Sequence, residues 1–318
     1  MVNYSLKVDV DTHDGMRDGV PRLLDTFGRF GVKATFFLAF GPDNSGKAIW
    51  NLFRSKGFLK KMMRTGAPKL YGWRTVLSGT LLPARPIASK FPDLVRRISD
   101  EGHEVGVHAW DHRLWQDHLD RLTKAQIEEQ FARAFECFEK ALGRRPGAVA
   151  APAWYATATS LQVQDGLGLQ YASDIRGNRF GYPELDGYRS TTLQLPTTQP
   201  CLEELLTLGR KDLDACAEEV LAAPPEAPFA VIPLHAEVEG GVYEPFLQKL
   251  LQGIAARGAR VQTLQEQAAQ ILRTAKPPVI QVTALPMPGR AGRVVVVAPQ
   301  PHLEPPRHQG TKNGKDSK

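Results

Sequence analysis

Cysteine is scarce in this sequence. The 318 residues contain three cysteines, Cys137, Cys201 and Cys216, and none of them belongs to a C-x-x-C pair. An odd number of cysteines without such a pair is typical of a protein in a reducing compartment. It argues against a disulfide scaffold and against a structural zinc cluster.

Long apolar runs are missing as well. No stretch approaches the roughly 18 apolar residues that a transmembrane helix needs. The opening residues, MVNYSLKVDVD, contain no apolar core of a signal peptide. We therefore expect a cytoplasmic protein without a membrane-spanning helix.

One long segment lacks acidic residues. Residues 44–92 contain ten Lys or Arg and no Asp or Glu, whereas the net charge of the whole chain is +6. Leucines and aromatic residues such as Trp50 are interleaved with basic residues such as Lys60, Lys61 and Arg64. This mixture is typical of a segment at a membrane interface, where its basic residues meet anionic phosphate. The alternatives are a solvated helical insertion and a nucleic-acid surface, and we expect no nucleic-acid partner because no known nucleic-acid module is visible.

Strand and helix patterns alternate through most of the chain. Leu6, Val8 and Val10 alternate with polar residues, a helical apolar stripe follows at 18–30, and a β-rich run follows at 32–38. A strand, a helix and a strand in this order imply parallel pairing. Six or seven such repeats predict an α/β protein with a (β/α) barrel. The further predicted strands are 104–108, 148–151, 171–174, 229–235 and 260–263, and the further predicted helices are 93–100, 122–142, 157–167, 244–257 and 264–273.

Shifts in composition indicate the domain boundaries. Residues 1–275 are predicted to form the barrel domain, with the basic helical insertion at 44–92 inside it. Residues 276–298 are predicted to be a C-terminal extension with an edge strand at 294–297. Residues 299–318 are rich in Pro, His and Lys with almost no apolar content, which predicts a disordered tail.

Two carboxylates mark the end of the first strand. Because side chains alternate along a strand, Asp9 and Asp11 share one face, where they repel each other unless a cation lies between them. Two solvated acids at a strand end are the alternative. If a divalent cation is present, one aspartate can hold it while the other takes a proton from a bound water.

Two histidines follow a later strand. His108 and His112 are four residues apart, so in a helical turn both imidazoles reach one metal ion, although this spacing also occurs by chance. Together with Asp11 they make a set of two histidines and one carboxylate, which leaves Asp9 free to act as a base. This set binds Zn, Mn, Co, Ni or Fe, so we expect a divalent metal ion whose identity the sequence does not specify.

His235 ends another strand and is the candidate general acid. Imidazole titrates near neutral pH, although a lone histidine after a buried run is more often an ordinary core residue. Asp174 ends a further predicted strand and could hydrogen-bond His235, with a turn or helix N-cap as its alternative role. All these residues lie at the C-terminal ends of strands, where barrel enzymes have their active sites.

This set of residues resembles a known family. The resemblance covers about residues 4–275 and implies a distorted (β/α) barrel that catalyses metal-dependent hydrolysis of an N- or O-acyl group on a sugar. Its motifs appear in the order of the polysaccharide deacetylase (NodB-like) superfamily: DVD (9–11), H-x-x-x-H (108–112), AAPAW (150–154), Asp174 and LH (234–235). The resemblance implies that Asp9 is the base, that Asp11, His108 and His112 are the metal ligands, that His235 is the acid, and that Asp174 tunes this histidine.

A closer resemblance is to one branch of that family, the bacterial 4-deoxy-4-formamido-L-arabinose-phosphoundecaprenol deformylases. The branch acts at the cytoplasmic face of the inner membrane, in the lipid A modification that confers polymyxin resistance. The resemblance therefore implies a formamido-arabinose substrate linked to undecaprenyl phosphate, and an anionic membrane surface as a partner. The motifs that carry it are GVPRLL (19–24), GPDN (41–44), LYGW (70–73), HAWDH (108–112), SDIRG (173–177) and HAEVEG (235–240).

One departure from the family concerns the base. Many members of the superfamily carry an arginine at the position of Ala150, where it braces the base. In addition, Tyr155 occupies a position where we expect an arginine in this branch. Arg176 is therefore our candidate both to orient Asp9 and to contact the substrate.

The resemblance also implies further substrate contacts. A backbone N–H of Ala153 or Trp154 is the candidate donor to the oxyanion, and Glu237 of the HAEVEG motif is a candidate substrate contact. In the predicted reaction Asp9 takes a proton from the attacking water, and His235 protonates the sugar amine as formate leaves. The alternatives are a cytoplasmic deacetylase of another N-acyl sugar or amide, and a non-catalytic basic membrane-binding module.

Overall fold

Strands and helices alternate along the part of the chain that the structure describes. The computed structural model covers residues 3–47, 75, 77–222, 229–290 and 292–299. The strands are β1 (Asn3–Val10), β2 (Thr35–Leu38), β3 (Glu104–Val107), β4 (Ala148–Val149), β5 (Tyr171–Ala172), β6 (Tyr182–Leu185), β7 (Tyr188–Arg189), β8 (Phe229–His235), β9 (Val279–Pro286) and β10 (Arg293–Val297). The α-helices are α1 (Val20–Phe30), α2 (Pro92–Asp100), α3 (His112–His118), α4 (Lys124–Leu142), α5 (Ala158–Asp165), α6 (Leu202–Thr207), α7 (Leu213–Leu221), α8 (Glu244–Ala256) and α9 (Leu264–Thr274).

The first strand occupies an inner position in the main sheet. This sheet has the strand order β5-β4-β3-β2-β1-β8, and β1 pairs in parallel with both of its neighbours. The register places Asp9 beside Phe37 of β2 and beside His235 of β8. The predicted parallel strand–helix–strand unit is confirmed, and the pairing brings Asp9 and His235 to neighbouring strand ends.

An irregular segment closes the main sheet into a barrel. The two edges of the sheet are β5 and β8, and residues 192–199 run between them. Leu195 N donates to Ala172 O of β5 at 2.8 Å, and Gln199 N donates to Val231 O of β8 at 3.1 Å. Because backbone of irregular shape replaces regular strands here, the barrel is distorted, as the sequence predicts.

The alternation of side chains along β1 separates an apolar layer from a polar interior. Leu6, Val8 and Val10 are fully buried in the large core cluster that includes the helices. Lys7 and Asp9 point to the other face, into the barrel, and are also buried. The barrel interior therefore contains charged groups that need partners.

The chain after residue 275 adds a hairpin to a second sheet. This sheet has the order β10-β9-β6-β7, and β10 is the edge strand predicted at 294–297. The sequence patterns did not indicate β6, β7 and β9, nor the helices α6 and α7. The prediction of a strand at 260–263 is wrong, because Val261 makes only a single β-bridge, to Tyr4.

Part of the basic insertion and most of the tail lie outside the described residues. Trp50, Lys60, Lys61, Arg64 and residues 300–318 are among them, so the predictions for these residues stay predictions. In the part of the chain that is described, no helix has the length and apolar character to cross a membrane.

Glycines allow the loop after β8 to pack against the chain that follows β1. A π-helical turn at Gly15–Gly19 leads directly into α1, so the helix predicted at 18–30 is preceded by a wider turn. A Cβ at Gly19 would lie 2.0 Å from Ala236 O, and a Cβ at Gly240 would lie 2.4 Å from the same oxygen. This contact fixes the HAEVEG loop beside the end of β1.

The contact makes Gly19 intolerant of a side chain. We expect Gly19→Ala to lower the free energy of unfolding by about 1–3 kcal/mol, because the added methyl group meets rigid backbone. Gly28→Ala is the matched control, since Gly28 is an exposed residue of α1 with open space around its Cα. That control should raise the free energy of unfolding by about 0.5–1 kcal/mol. Urea denaturation measures both, and equal stabilities of the two variants would contradict the close contact.

Candidate active site

Three predicted metal ligands come together at the end of the barrel. Asp11 follows β1, His108 follows β3, and His112 is the first residue of α3. His108 Nε2 lies 3.3 Å from Asp11 Oδ1, and His112 Nε2 lies 3.2 Å from Asp11 Oδ2. Their ligand atoms all lie within 4.8 Å of one another, so one small cation can contact all three residues.

Local backbone structure aims the two histidines at Asp11. Ala109 has a φ of 86°, and this left-handed turn reverses the chain between the two imidazoles. Asp111 caps α3 by accepting hydrogen bonds from Arg113 N and Leu114 N, each at 3.0 Å. His108 Nδ1 lies 2.9 Å from Ala150 O, so Nδ1 carries the proton and Nε2 is the nitrogen free to bind a metal ion.

The three residues fit a divalent metal ion. Asp11 Oδ1 is buried and has no hydrogen-bond partner among the described residues. Burial disfavours the charged form of Asp11, but the imidazoles of His112 and His108 together outweigh it and hold the pKa of Asp11 well below its usual value. A carboxylate with two imidazoles suits several first-row transition ions.

Asp9 is the buried neighbour of this triad. Asp9 is 2% exposed, and Lys7 Nζ donates a hydrogen bond to Asp9 Oδ2. Asp9 Oδ1 has no hydrogen-bond partner in the described part of the chain. One oxygen of the predicted base is therefore held, and the other is available.

Arg176 does not orient Asp9, so that prediction is wrong. Its guanidinium donates to Glu204 Oε1 at 2.9 Å and to Gln199 O at 2.8 Å, and the residue is buried. The cation at Asp9 is Lys7. The sequence contains an indication of this contact, because Lys7 precedes Asp9 by two residues and so shares its face of the strand.

His235 is paired with an acid from α6. His235 Nδ1 lies 2.9 Å from Glu203 Oε1. Burial favours the neutral imidazole, but the negative charge of Glu203 outweighs burial and raises the pKa of His235 well above its usual value. The raised pKa favours the imidazolium form of His235, which is the state that a general acid needs.

Asp174 does not hydrogen-bond His235, so that prediction is wrong as well. Asp174 is fully buried, and its Oδ2 accepts a hydrogen bond from Gln194 Nε2 at 2.7 Å. Asp174 follows β5, whereas His235 ends β8 at the other edge of the sheet, and Gln194 belongs to the segment that closes the gap. Glu203 was missed because α6 spans only Leu202–Thr207, which is too short for a helical pattern to stand out.

Trp154 lies next to both Lys7 and His235. Its ring faces three cations, with Lys7 Nζ 5.2 Å, Arg176 Cζ 4.7 Å and Arg290 Cζ 4.3 Å from the ring centroid. The ring is edge-on to His235, with centroids 6.3 Å apart. Its Nε1 donates to Thr197 Oγ1 at 2.8 Å, which anchors the indole to the segment that closes the barrel.

The turn that carries Trp154 is left-handed. Ala153 has a φ of 56° and Trp154 a φ of 52°, conformations that cost free energy in residues other than glycine. The Trp154 N–H donates to Ala151 O at 3.2 Å. Of the two predicted oxyanion donors, the Trp154 N–H is therefore already engaged, and the Ala153 N–H becomes the better candidate.

Two glutamates of the HAEVEG loop border the site. Burial and the charge of Asp11 raise the pKa of Glu237 well above its usual value, and its buried Oε2 has no partner among the described residues. Glu239 is fully buried, and its Oε2 accepts a hydrogen bond from His235 N at 2.7 Å. Burial and Glu203 raise the pKa of Glu239 to about 8, so it is mainly a neutral acid that holds the backbone of His235. The fold thus brings Glu237 to the site as predicted, and Glu239 was missed.

A candidate metal-ligand triad, with the candidate base Asp9 and the candidate acid His235 on neighbouring strand ends, is an arrangement that suits a (β/α)-barrel hydrolase of acyl groups. The sequence model of the polysaccharide deacetylase family matches residues 10–172, and the chain belongs to this family.

Named relatives refine this assignment. The protein named probable 4-deoxy-4-formamido-L-arabinose-phosphoundecaprenol deformylase ArnD from Shewanella sediminis is 36% identical over 254 residues, which cover 79% of this chain and 81% of that protein. The protein of the same name from Wigglesworthia glossinidia brevipalpis is 27% identical over 279 residues, 87% of this chain and 96% of that protein. The chain is accordingly a hydrolase of carbon–nitrogen bonds in amides.

Solved structures confirm the fold. The crystal structure of a polysaccharide deacetylase from Mycobacterium smegmatis superposes with a TM-score of 0.60 at 16% identity, over 86% of this chain and 92% of that one. The Bc1960 peptidoglycan N-acetylglucosamine deacetylase superposes with a TM-score of 0.51 at 18% identity, over 83% of this chain and 86% of that one. The distorted barrel is therefore the fold of this family.

The pairing of His235 with Glu203 predicts a pH effect. Activity that depends on the imidazolium falls as pH rises through the pKa of His235. Since Glu203 raises this pKa, Glu203→Gln should lower it and move the alkaline limb of the kcat/KM profile to lower pH by roughly one to three units. Asp174→Asn is the matched control, and it should leave the position of that limb unchanged. A shift with Asp174→Asn but not with Glu203→Gln would contradict the pairing.

Proposed function

We propose that this protein removes the formyl group from 4-deoxy-4-formamido-L-arabinose carried on phosphoundecaprenol. The product is the 4-amino sugar lipid used in the lipid A modification that confers polymyxin resistance. The observation that carries the proposal is the combination of the Asp11–His108–His112 triad with Asp9 and His235 on neighbouring strand ends. This combination occurs in a chain that is 36% identical to a protein named as such a deformylase.

Asp11, His108 and His112 are the residues that would hold the metal ion. A divalent cation bound there would polarise the formamide carbonyl and lower the pKa of the attacking water. The hydrogen bond between His108 and Ala150 O fixes the tautomer that such a site requires. Asp11 comes from the end of β1 and the two histidines from the segment after β3, so the fold brings the three side chains together.

Asp9 and His235 divide the proton transfers. Asp9 accepts a proton from the attacking water through Oδ1, because Oδ2 is already held by Lys7. The water oxygen bonds to the formyl carbon, and the carbon–nitrogen bond then breaks. His235 gives its proton to the departing sugar nitrogen while Glu203 stabilises the imidazolium, so the products are formate and a free amine.

The oxyanion and the sugar have further candidate contacts. The Ala153 N–H, in its left-handed turn beside Trp154, is our candidate donor to the oxyanion. The carboxyl group of Glu237, with its raised pKa, can donate a hydrogen bond to a sugar oxygen or to the carbonyl. Arg176 is buried behind Trp154 and bonded to Glu204, so we assign it to support of Trp154 and not to the substrate.

The basic insertion is proposed to hold the enzyme on the cytoplasmic face of the inner membrane. Residues 44–92 contain ten basic and no acidic residues, which suits a surface of anionic lipid and a substrate with a phosphate group. Such binding would place the site next to the lipid-linked sugar. Trp50, Lys60, Lys61 and Arg64 are the proposed contacts.

Deformylation is tested with a lipid-linked formamido-arabinose and purified protein loaded with a divalent metal ion. Mass spectrometry should show loss of the formyl group with the wild type, and the acetamido analogue should react more slowly. His108→Ala should lose its metal ion, as measured by elemental analysis. Its activity should fall by about 100-fold or more, as expected when a metal-activated nucleophile is lost. The exposed histidine variant His118→Ala should retain both. Full metal content with intact activity in His108→Ala would contradict the site, and faster deacetylation than deformylation would favour another N-acyl sugar as the substrate.

Membrane binding is tested separately with liposomes. Each basic residue near an anionic surface contributes about 1 kcal/mol, so replacing Lys60, Lys61 and Arg64 by Glu should weaken vesicle binding about 100-fold or more. The control carries Glu at Lys124, Lys140 and Arg145, which lie on or just after α4, and should bind nearly as the wild type does. Co-sedimentation with vesicles that contain anionic lipid measures both, and equal binding of the two triple variants would contradict the proposal.

A further inference from the structure

A lysine lies buried in the interior of the barrel. Lys7 of β1 is 0% exposed and is one of the largest fully buried side chains of the protein. An ammonium group removed from water costs free energy unless a charged partner or hydrogen bonds compensate. Long lysine side chains usually reach solvent, so the burial of this one calls for a specific reason.

Among the residues that the structure describes, Lys7 has one direct ionic partner. Lys7 Nζ donates to Asp9 Oδ2. The rings of Phe37 and Trp154 lie on its other sides, with centroids 5.4 Å and 5.2 Å from Nζ. Two aromatic faces near a cation are favourable and leave little room for the ammonium to turn away. The lysine is therefore held in one place and can hold the carboxylate in turn.

The hydrogen bond gives the two oxygens of Asp9 different roles. Oδ2 is occupied by Lys7, and Oδ1 is buried with no hydrogen-bond partner among the described residues. An ionised carboxylate has only acceptor sites, so the free oxygen must accept from a group that enters the site. A carboxylate tied through one oxygen presents the other in a fixed direction, which is the requirement for a positioned base.

The position at which the family resemblance implies a bracing arginine cannot hold the base here. Ala150 is buried and has only a methyl side chain, and its carbonyl oxygen is used by His108 Nδ1. Arg176 is committed to Glu204 and Gln199. Among the described residues, Lys7 is the cation in contact with Asp9.

We infer that Lys7 is the positioning residue of the base: it fixes the Asp9 carboxylate so that Oδ1 faces the attacking water. Lys7 acts through Asp9 and does not itself touch the reacting atoms. The inference rests on the proposed function, because it assigns how the base of that reaction is held. It predicts that the chemical step depends on Lys7, whereas metal binding and substrate binding do not.

Steady-state kinetics of three variants test this inference. Lys7→Met should lower kcat by roughly 100-fold or more, the contribution typical of a general base. Its KM should stay within about threefold of the wild-type value, and its metal content should stay at the wild-type level. Lys7→Arg keeps the charge and the donor and should retain kcat within about tenfold. Lys249→Met, which removes a surface lysine paired with Asp214, should have wild-type kcat and KM.

A double variant separates positioning from a general effect on structure. If Lys7 acts through Asp9, Lys7→Met in an Asp9→Asn background should cause no further loss of kcat. An equal fold-loss in both backgrounds would overturn the inference, as would a Lys7→Met enzyme with kcat within threefold of wild type. A Lys7→Arg enzyme as slow as Lys7→Met would overturn it too.

Lys7→Met leaves a buried carboxylate unpaired, so this variant can fail to fold. In that case Lys7→Gln, which removes the charge and places a neutral N–H donor one atom closer to the backbone, replaces it in the same comparison, with thermal melting as the check of folding. A wild-type protein that does not deformylate the lipid-linked sugar would refute the proposed function. An active wild type with an equally active Lys7 variant would refute only the role of Lys7.

Discussion

A buried ion pair on the first strand is the constraint on which the rest of the site depends. Lys7 and Asp9 lie two residues apart and point into the barrel, where water does not compensate their charges. Trp154 and Phe37 flank the ammonium group of Lys7. Lys7 bonds one carboxylate oxygen of Asp9 and leaves the other oxygen free. Because β1 pairs with β2 and with β8, the same strand also sets the distance from Asp9 to His235.

Trp154 lies beside both charged pairs of the site. Lys7, which is paired with the proposed base Asp9, has its Nζ 5.2 Å from the ring centroid. The imidazole of His235, which is paired with Glu203, is edge-on to the same ring. Arg290 lies over the ring as well and donates to Glu204 Oε1 at 3.1 Å, so one indole links the surroundings of the two pairs.

The sequence predicted the regular parts of the fold and the residues at the ends of regular strands. Apolar periods of two and of 3.6 residues identify β1, α1 and α4, and residues such as Asp9 and His108 directly follow such patterns. Lys7 was overlooked because a lysine on a strand is normally solvated, and only tertiary packing shows that it is buried. Glu203 was missed because it lies on a short helix that follows an irregular segment. Long-range contacts determine where these two elements lie, and no local period in the sequence indicates them.

The two halves of the site come from different parts of the chain. The family match at residues 10–172 contains the three metal ligands, whereas Glu203, His235 and Arg290 all follow it. Arg290 reaches the acid from the turn between β9 and β10, where Gly289 packs so closely on Glu204 that a Cβ would lie 2.9 Å from its carbonyl oxygen. The three candidate metal ligands thus lie in the segment that the family model matches, whereas Lys7 and Asp9 precede it. The surroundings of the candidate acid are built by the chain after residue 172, so the fold has to bring three separate parts of the sequence together at the site.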